Sequence, residues 1–200
     1  MLAQALLEQP RMFNHNRGLW GYTGVAADGE PLTIQATGMG GPSAAIVLSE
    51  LIALGARRAI RVGTCGALVP ELALGELVIA REALCADGTS RALGAGDHVR
   101  ADETLAAALA RHAPSARAGA VVSVDLFYDE RDHRGGGALA VEMEAAALFA
   151  LGASAQLPVA CLLTVTDVFD AAGARTRIAD GALQTAAEAM GQAAVAALGD

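Results

Sequence analysis

Arg61 follows the short apolar run Ala59-Ile60 and precedes Val62-Gly63-Thr64-Cys65-Gly66. A charge at the end of a buried strand is costly unless it is paired. Strand ends in α/β sheets open onto ligand crevices, so Arg61 with the Thr64 hydroxyl can grip an oxyanion; a structural ion pair is the plain alternative. Glu142 and Glu144 flank Met143 where the strand-like Ala138–Val141 meets an Ala-rich helix. A helix N-terminus favours acidic residues, which accounts for one glutamate and leaves the pair unexplained. Asp167 ends the apolar run Val159–Thr166, and a carboxylate that terminates a buried strand has a route to a raised pKa and a functional role.

Gly38-Met39-Gly40-Gly41-Pro42-Ser43 places glycines before a helix, where backbone N–H groups can face an anion. It has neither the Gly-Lys-Ser/Thr ending of a P-loop nor GxGxxG spacing, so a structural turn explains it equally well. His15, His98, His112 and His133 show no HxxxH or HxxE grouping, and no metal site is expected.

The elements that must position these groups are legible as local patterns. Leu19–Ala36 alternates as two short strands, with Asp28-Gly29 supplying residues that tolerate positive φ between them. Pro42 fits the first turn of a helix that runs to about Leu54, with Val47, Leu48, Leu51 and Leu54 as its apolar stripe and Gly55 closing it. Ala59–Val62, Glu76–Ala80, Ala118–Val124 and Pro158–Thr166 read as buried strands. Asp102–His112, Glu144–Gln156 and Ala179–Leu198 read as helices, with Asp102 and Asp180 as candidate caps. A hairpin followed by alternating helices and strands is an α/β arrangement. The glycine clusters at 94–96 and 135–137 mark loops, because apolar patterning resumes directly after each.

A chain of 200 residues suffices for one α/β domain spanning 1–200. Hydrophobic residues make up 54% of it, yet no charge-free run approaches the ~20 residues that cross a bilayer. No membrane partner is expected. The N-terminal stretch to Gln9 has no basic segment of a leader, which implies a cytoplasmic protein. Cys65, Cys85 and Cys161 are odd in number and widely spaced, as reduced thiols would be. A net charge of −8 and a pI near 4.9 argue against a nucleic-acid-binding surface.

Taken in order, Asn16-Arg17-Gly18-Leu19-Trp20-Gly21-Tyr22-Thr23-Gly24, TGMGGPSAAIVLSEL, IRVGTCGAL, GELVIA, DGTS, VDLFY, VEMEAAALF and TVTD resemble the nucleoside phosphorylase family of hexameric purine nucleoside phosphorylases and uridine phosphorylases. The resemblance implies a mixed central β-sheet flanked by helices and a hexamer built from dimers with shared active sites. It implies phosphate binding by Arg61 and Thr64, with Arg17 reaching in from a neighbouring subunit. Met143 and Glu144 match the ribose-binding pair, with Glu142 beside them; a carboxylate suits the 2′ and 3′ hydroxyls. Phe127 matches the aromatic residue on the base, with Cys65 and Gly66 lining its other side, and Asp167 matches the acid of the purine enzymes, aided by either Arg175 or Arg177. The implied reaction is phosphate-dependent cleavage of the N-glycosidic bond, giving free base and ribose 1-phosphate, with phosphate as co-substrate and no cofactor.

Two departures from the family pattern bear on that expectation. The family opens with a β-strand ending in a Gly-Asp-Pro turn and an Arg, whereas this chain begins in what would be the following helix and is N-terminally shortened by comparison. The stretch Asp129–Gly137 is shorter than usual. Uridine phosphorylase is the alternative, since Glu130-Arg131 after Phe127-Tyr128 is similar to a uracil-binding stretch, but the Gln of that stretch is missing and Asp167 is a purine-branch feature. A nucleosidase, which needs no phosphate-binding Arg61, and a non-catalytic nucleoside-binding homologue are further alternatives.

Overall fold

The computed structural model describes residues 2–128, 131, 133, 134, 136–170 and 173–200. The N-terminal part is a short helix α1 (Leu2–Leu6) and a three-stranded antiparallel sheet of β1 (Glu8–Asn14), β2 (Gly21–Val25) and β3 (Pro31–Gln35). β2 and β3 are the expected hairpin: Gly29 takes φ +88° in its turn, and Asp28 Oδ1 accepts the Glu30 N–H at 3.0 Å. β1 is an addition that its sequence does not announce, because all but the last of its residues are exposed.

Helix α2 (Gly41–Ala53) leads from this sheet into β4 (Ala59–Ala67). Then come β5 (Leu77–Ala86), α3 (Gly88–Ala92), β6 (His98–Arg100), α4 (Glu103–His112), β7 (Arg117–Val124), β8 (Ala140–Glu142), α5 (Ala145–Ala155), β9 (Val159–Phe169), β10 (Arg175–Arg177) and α6 (Asp180–Gly199). The seven strands run in the order β10-β9-β4-β8-β7-β5-β6, and β5 also pairs antiparallel with β9. β9, β4, β8, β7 and β5 therefore close into a ring.

Helices cover both faces of this mixed sheet, as the family resemblance implies. Alternation along β9 divides the core. Cys161, Leu163 and Val165 pack with Ala44 and Leu48 of α2 and with α5, while Ala160 and Leu162 pack with Leu105 and Leu109 of α4 and with Met190 and Ala194 of α6. Close approach of α5 to β9 requires Gly152, where a Cβ would sit 2.5 Å from Val159 Cγ2. Asp102 caps α4 by accepting the Leu105 N–H at 2.9 Å. Asp180 does not cap α6: that role falls to Ala179, which lends no side-chain hydrogen bond.

Candidate active site

β4 is longer than its apolar run. Parallel pairing with β9, from Ala59↔Val159 through Cys65↔Val165, carries the strand on through Gly63 and Thr64. Arg61 consequently lies inside the strand rather than at its end. Ile60 and Val62 pack toward α4 and α6, whereas Ala59, Cys65 and Ala67 pack toward α2 and α5; alternation gives Arg61 the second face. The Arg61 guanidinium folds back over Gly63, where a Cβ would approach it to 2.8 Å.

Two carboxylates meet that guanidinium. Arg61 Nε donates to Glu142 Oε2 at 3.3 Å and Arg61 Nη2 to Glu144 Oε2 at 2.5 Å, with the Arg61 side chain 11% exposed. Burial opposes the arginine charge, but Glu142, with Cys161 and Glu144 behind it, holds Arg61 above its ordinary value. Glu144 Oε1 accepts the backbone N–H of Gly40, a residue at φ +85° before α2. The glycine-rich turn therefore presents a donor to a carboxylate of this same chain.

Glu142 is placed differently from Glu144. Its side chain is fully buried. Oε1 accepts the Ser123 hydroxyl and the Ala145 N–H at 3.0 Å, and Oε2 accepts the Glu144 and Ala145 N–H groups at 2.9 Å each. Glu142, not the N-cap residue Glu144, thus satisfies the first orphan donors of α5. Burial raises the Glu142 carboxyl above the usual range, while Arg61, the Ser123 hydroxyl and the Glu144 N–H pull it back. Arg61, Ser123 and the two N–H groups all donate to it, the surroundings a carboxylate requires. Glu142, expected beside Met143 and Glu144 at a ribose, has its side chain enclosed by these donors.

A second group adjoins the first across β4 and β9. The register shifts after Cys65↔Val165, so that Gly66 faces Asp167 and Thr166 is the extra residue; a bulge of this kind re-aims a side chain. Asp167 Oδ2 accepts the Thr166 hydroxyl at 2.8 Å, and Asp167 Oδ1 accepts Arg175 Nε at 2.7 Å, with Arg175 Nη2 also at 2.7 Å. Arg175 is thereby the partner, although Arg177 lies opposite Asp167 in the β10–β9 register. Arg175 also stands 5.3 Å from the centroid of the Phe127 ring, a cation–π contact that ties the exposed aromatic to the acid.

The remaining expected residues differ in exposure. Thr64 is exposed, Gly66 and Met143 are half-buried, and Phe127 is 59% exposed. The thiol of Cys65, expected to line the base, is buried in the core cluster of α2 and α5, donates to the Thr164 carbonyl at 3.6 Å, and is pushed up to about 12 chiefly by burial. Arg17 sits in the turn between β1 and β2, exposed and at φ +55°, where Asn14 Nδ2 and Gln35 Nε2 both hold the Leu19 carbonyl. A non-glycine residue in that region carries strain that the surrounding bonds must sustain. Glu130, on which the uridine alternative rests together with Arg131, lies outside the described residues. Ser123 was not singled out by pattern; the signal available was a hydroxyl inside the apolar run Ala118–Val124, which burial obliges to find a partner.

A cleft of about 1260 Å³ between the N-terminal sheet and α2, β4 and α6 reaches Arg61 but touches none of Thr64, Phe127, Met143, Glu144 or Asp167. Glu144 and Asp167 are buried instead where β4, β9 and the start of α5 meet. No helix among the described residues is long and apolar enough to cross a membrane.

Comparison with known proteins agrees with the motif pattern. A family model described as the phosphorylase superfamily matches residues 1–199. A protein of Alkaliphilus metalliredigens named purine nucleoside phosphorylase DeoD-type is 36% identical over 188 residues, covering 88% of this chain and 80% of the relative. Proteins of the same name from an Exiguobacterium species, 33% identical over 178 residues (83% of this chain, 75% of the relative), and Roseobacter denitrificans, 36% identical over 177 residues (82% and 75%), match as well. A fold of helices on a mixed sheet, a buried arginine shared by two glutamates, and a match along essentially the whole chain together make this protein a member of the phosphorylase superfamily.

Proposed function

We propose that the chain catalyses phosphorolysis of purine nucleosides. The observation that carries this reading is the contact of Arg61 with Glu144 beside the Asp167–Arg175 pair: an anion-binding cation on β4, a diol-binding carboxylate at the start of α5 and an acid on the neighbouring strand β9. The relatives named purine nucleoside phosphorylase support it.

Phosphate is held by Arg61 and Thr64, with Arg17 supplied by a neighbouring subunit of a hexamer of dimers. Glu144 accepts the 2′ and 3′ hydroxyls and Met143 packs against the ribose. Phe127 covers one face of the base, and Gly66 with the backbone of Cys65 borders the other. A phosphate oxygen attacks C1′ as the C1′–N9 bond breaks, and its electron pair passes into the purine. The ribosyl centre gains positive charge in an oxocarbenium-like transition state, which the phosphate offsets. Asp167 gives its proton to N7. The resulting carboxylate already faces the Arg175 guanidinium and the Thr166 hydroxyl, donors placed for the charge that appears. Phosphate is the co-substrate and no cofactor takes part. Residues 1–200 act as one domain, with α1 closing on α6 through Leu2 and Leu6 at Gly191, and three buried free thiols suit the cytoplasm.

Incubating the protein with inosine or adenosine, with and without inorganic phosphate, tests the reading. Ribose 1-phosphate and free base should appear only with phosphate. Equal base release without it would make the protein a nucleosidase, and tight nucleoside binding with no turnover would make it a binding homologue.

A further inference from the structure

Phosphate recognition by Arg61 has a structural requirement of its own. An arginine inside a strand has four rotatable bonds and reaches many positions, and fixing such a side chain costs rotamer entropy. Glu144 alone does not fix Arg61, because the sugar needs it. Glu142 fixes it from behind. Its Oε2 takes the Arg61 Nε, the one nitrogen whose direction determines the plane of the guanidinium, at 3.3 Å. Glu142 is itself held by the Ser123 hydroxyl and by the N–H groups of Glu144 and Ala145. Ser123 is fully buried and is anchored in turn by the Ala146 N–H at 2.9 Å. With no exposed side-chain surface, Glu142 has no contact with solvent and none to offer a ligand.

We propose that Glu142, locked by Ser123, is a positioning residue that orients the Arg61 guanidinium toward the phosphate and, by capping α5, stands Glu144 at Nη2 of the same guanidinium. The proposal rests on the phosphorylase reading above. One carboxylate sets the separation between the phosphate subsite and the ribose subsite through a single chain of hydrogen bonds, Ser123–Glu142–Arg61 on one branch and Glu142–α5–Glu144 on the other. Such a network acts as a unit, and its members are coupled.

The sign of the effect separates positioning from charge. Removing a negative charge next to an anion site strengthens anion binding if charge is all that Glu142 contributes. Positioning demands the opposite. Binding of inorganic phosphate is measured by calorimetry, alongside Michaelis constants for phosphate and inosine, on the wild type, Glu142→Gln, Ser123→Ala, Arg61→Met and Arg61→Met/Glu142→Gln. Glu142→Gln should weaken phosphate about tenfold, in the range of coupling within one network, with a smaller loss for Ser123→Ala, which leaves every charge in place. In the Arg61→Met background Glu142→Gln should add no further loss of phosphate binding. Tighter or unchanged phosphate binding in folded Glu142→Gln overturns the proposal, as does full additivity with Arg61→Met. If Glu142→Gln does not fold, Ser123→Ala decides by the same readout: wild-type phosphate binding in that variant overturns it. Failure of the underlying reading looks different, since the wild type itself would then neither bind phosphate nor require it for turnover.

Discussion

Asp167→Asn tests the assignment of the acid while leaving its surroundings intact. The carboxylate makes its bonds with one oxygen toward Arg175 Nε at 2.7 Å and the other toward the Thr166 hydroxyl at 2.8 Å. An asparagine keeps its carbonyl oxygen on Arg175 and turns its amide toward Thr166. The Thr166 hydroxyl has the Cys65 carbonyl at 3.3 Å as another acceptor, so it can accept from the amide while donating there. Folding should survive, but the proton for N7 is gone. General acid catalysis contributes about 10²- to 10⁴-fold, so turnover of adenosine and inosine should fall by that factor, a barrier increase of about 2.7–5.4 kcal/mol. The assay is steady-state release of base at saturating phosphate, with a 7-methylated purine nucleoside as internal control. Its imidazole ring is already cationic and needs no proton from the enzyme. Equal loss on both substrates, with folding and binding intact, would refute Asp167 as the acid.

Mixing Arg17→Ala subunits with Asp167→Asn subunits should restore part of the lost activity, because a mixed dimer contains one site with both residues; no recovery despite demonstrated subunit exchange counts against the shared site. Gly63→Ala sets a methyl 2.8 Å from the Arg61 guanidinium and should raise the Michaelis constant for phosphate more than that for inosine; equal changes would place Arg61 away from phosphate. Gly152→Ala drives a methyl to 2.5 Å from Val159 Cγ2 and 2.9 Å from the Leu157 carbonyl, an overpacking that should cost about 1–3 kcal/mol in denaturant unfolding, and an unchanged midpoint would disprove the close approach of α5 to β9. The three free cysteines are buried, with Cys65 raised to about 12 and Cys161 raised as well, burial being the foremost cause; thiol alkylation at pH 8 should be slow in the native protein and complete after denaturation, since the thiolate is the reactive form.

Much of the scaffold was legible because its signals are local. The Asp28-Gly29 turn, Pro42 at the start of α2, Gly55 at its end and the Asp102 cap each act within a few residues of chain, and apolar runs long enough to fill a core mark β4, β7 and β9. The residue types that can bind phosphate, ribose and base were also readable, since IRVGTCG, VEMEA and TVTD keep them in fixed order. The three-residue strands β6 and β10 were not, because Arg175-Thr176-Arg177 carries no apolar period and is a strand only through pairing with β9.

What the linear sequence left undecided is which polar groups face one another. A pair of glutamates two residues apart looks symmetric in sequence. Both are buried and both meet Arg61, but tertiary placement makes only Glu142 the cap of α5, because Ser123 of β7 arrives beside only one of them. Arg61 reads as a strand end until parallel pairing with β9 extends β4 past it. Arg175 and Arg177 are equivalent by spacing, since both stand on the Asp167 face of β10; the diagonal neighbour makes the contact, within reach of a long side chain, and Phe127 from a distant loop provides the second surface it rests on. Composition and periodicity determine elements because those energies are summed over adjacent residues. Charge pairing inside a fold depends on contacts 81 and 83 residues apart along the chain, and only the closed sheet brings those contacts into being.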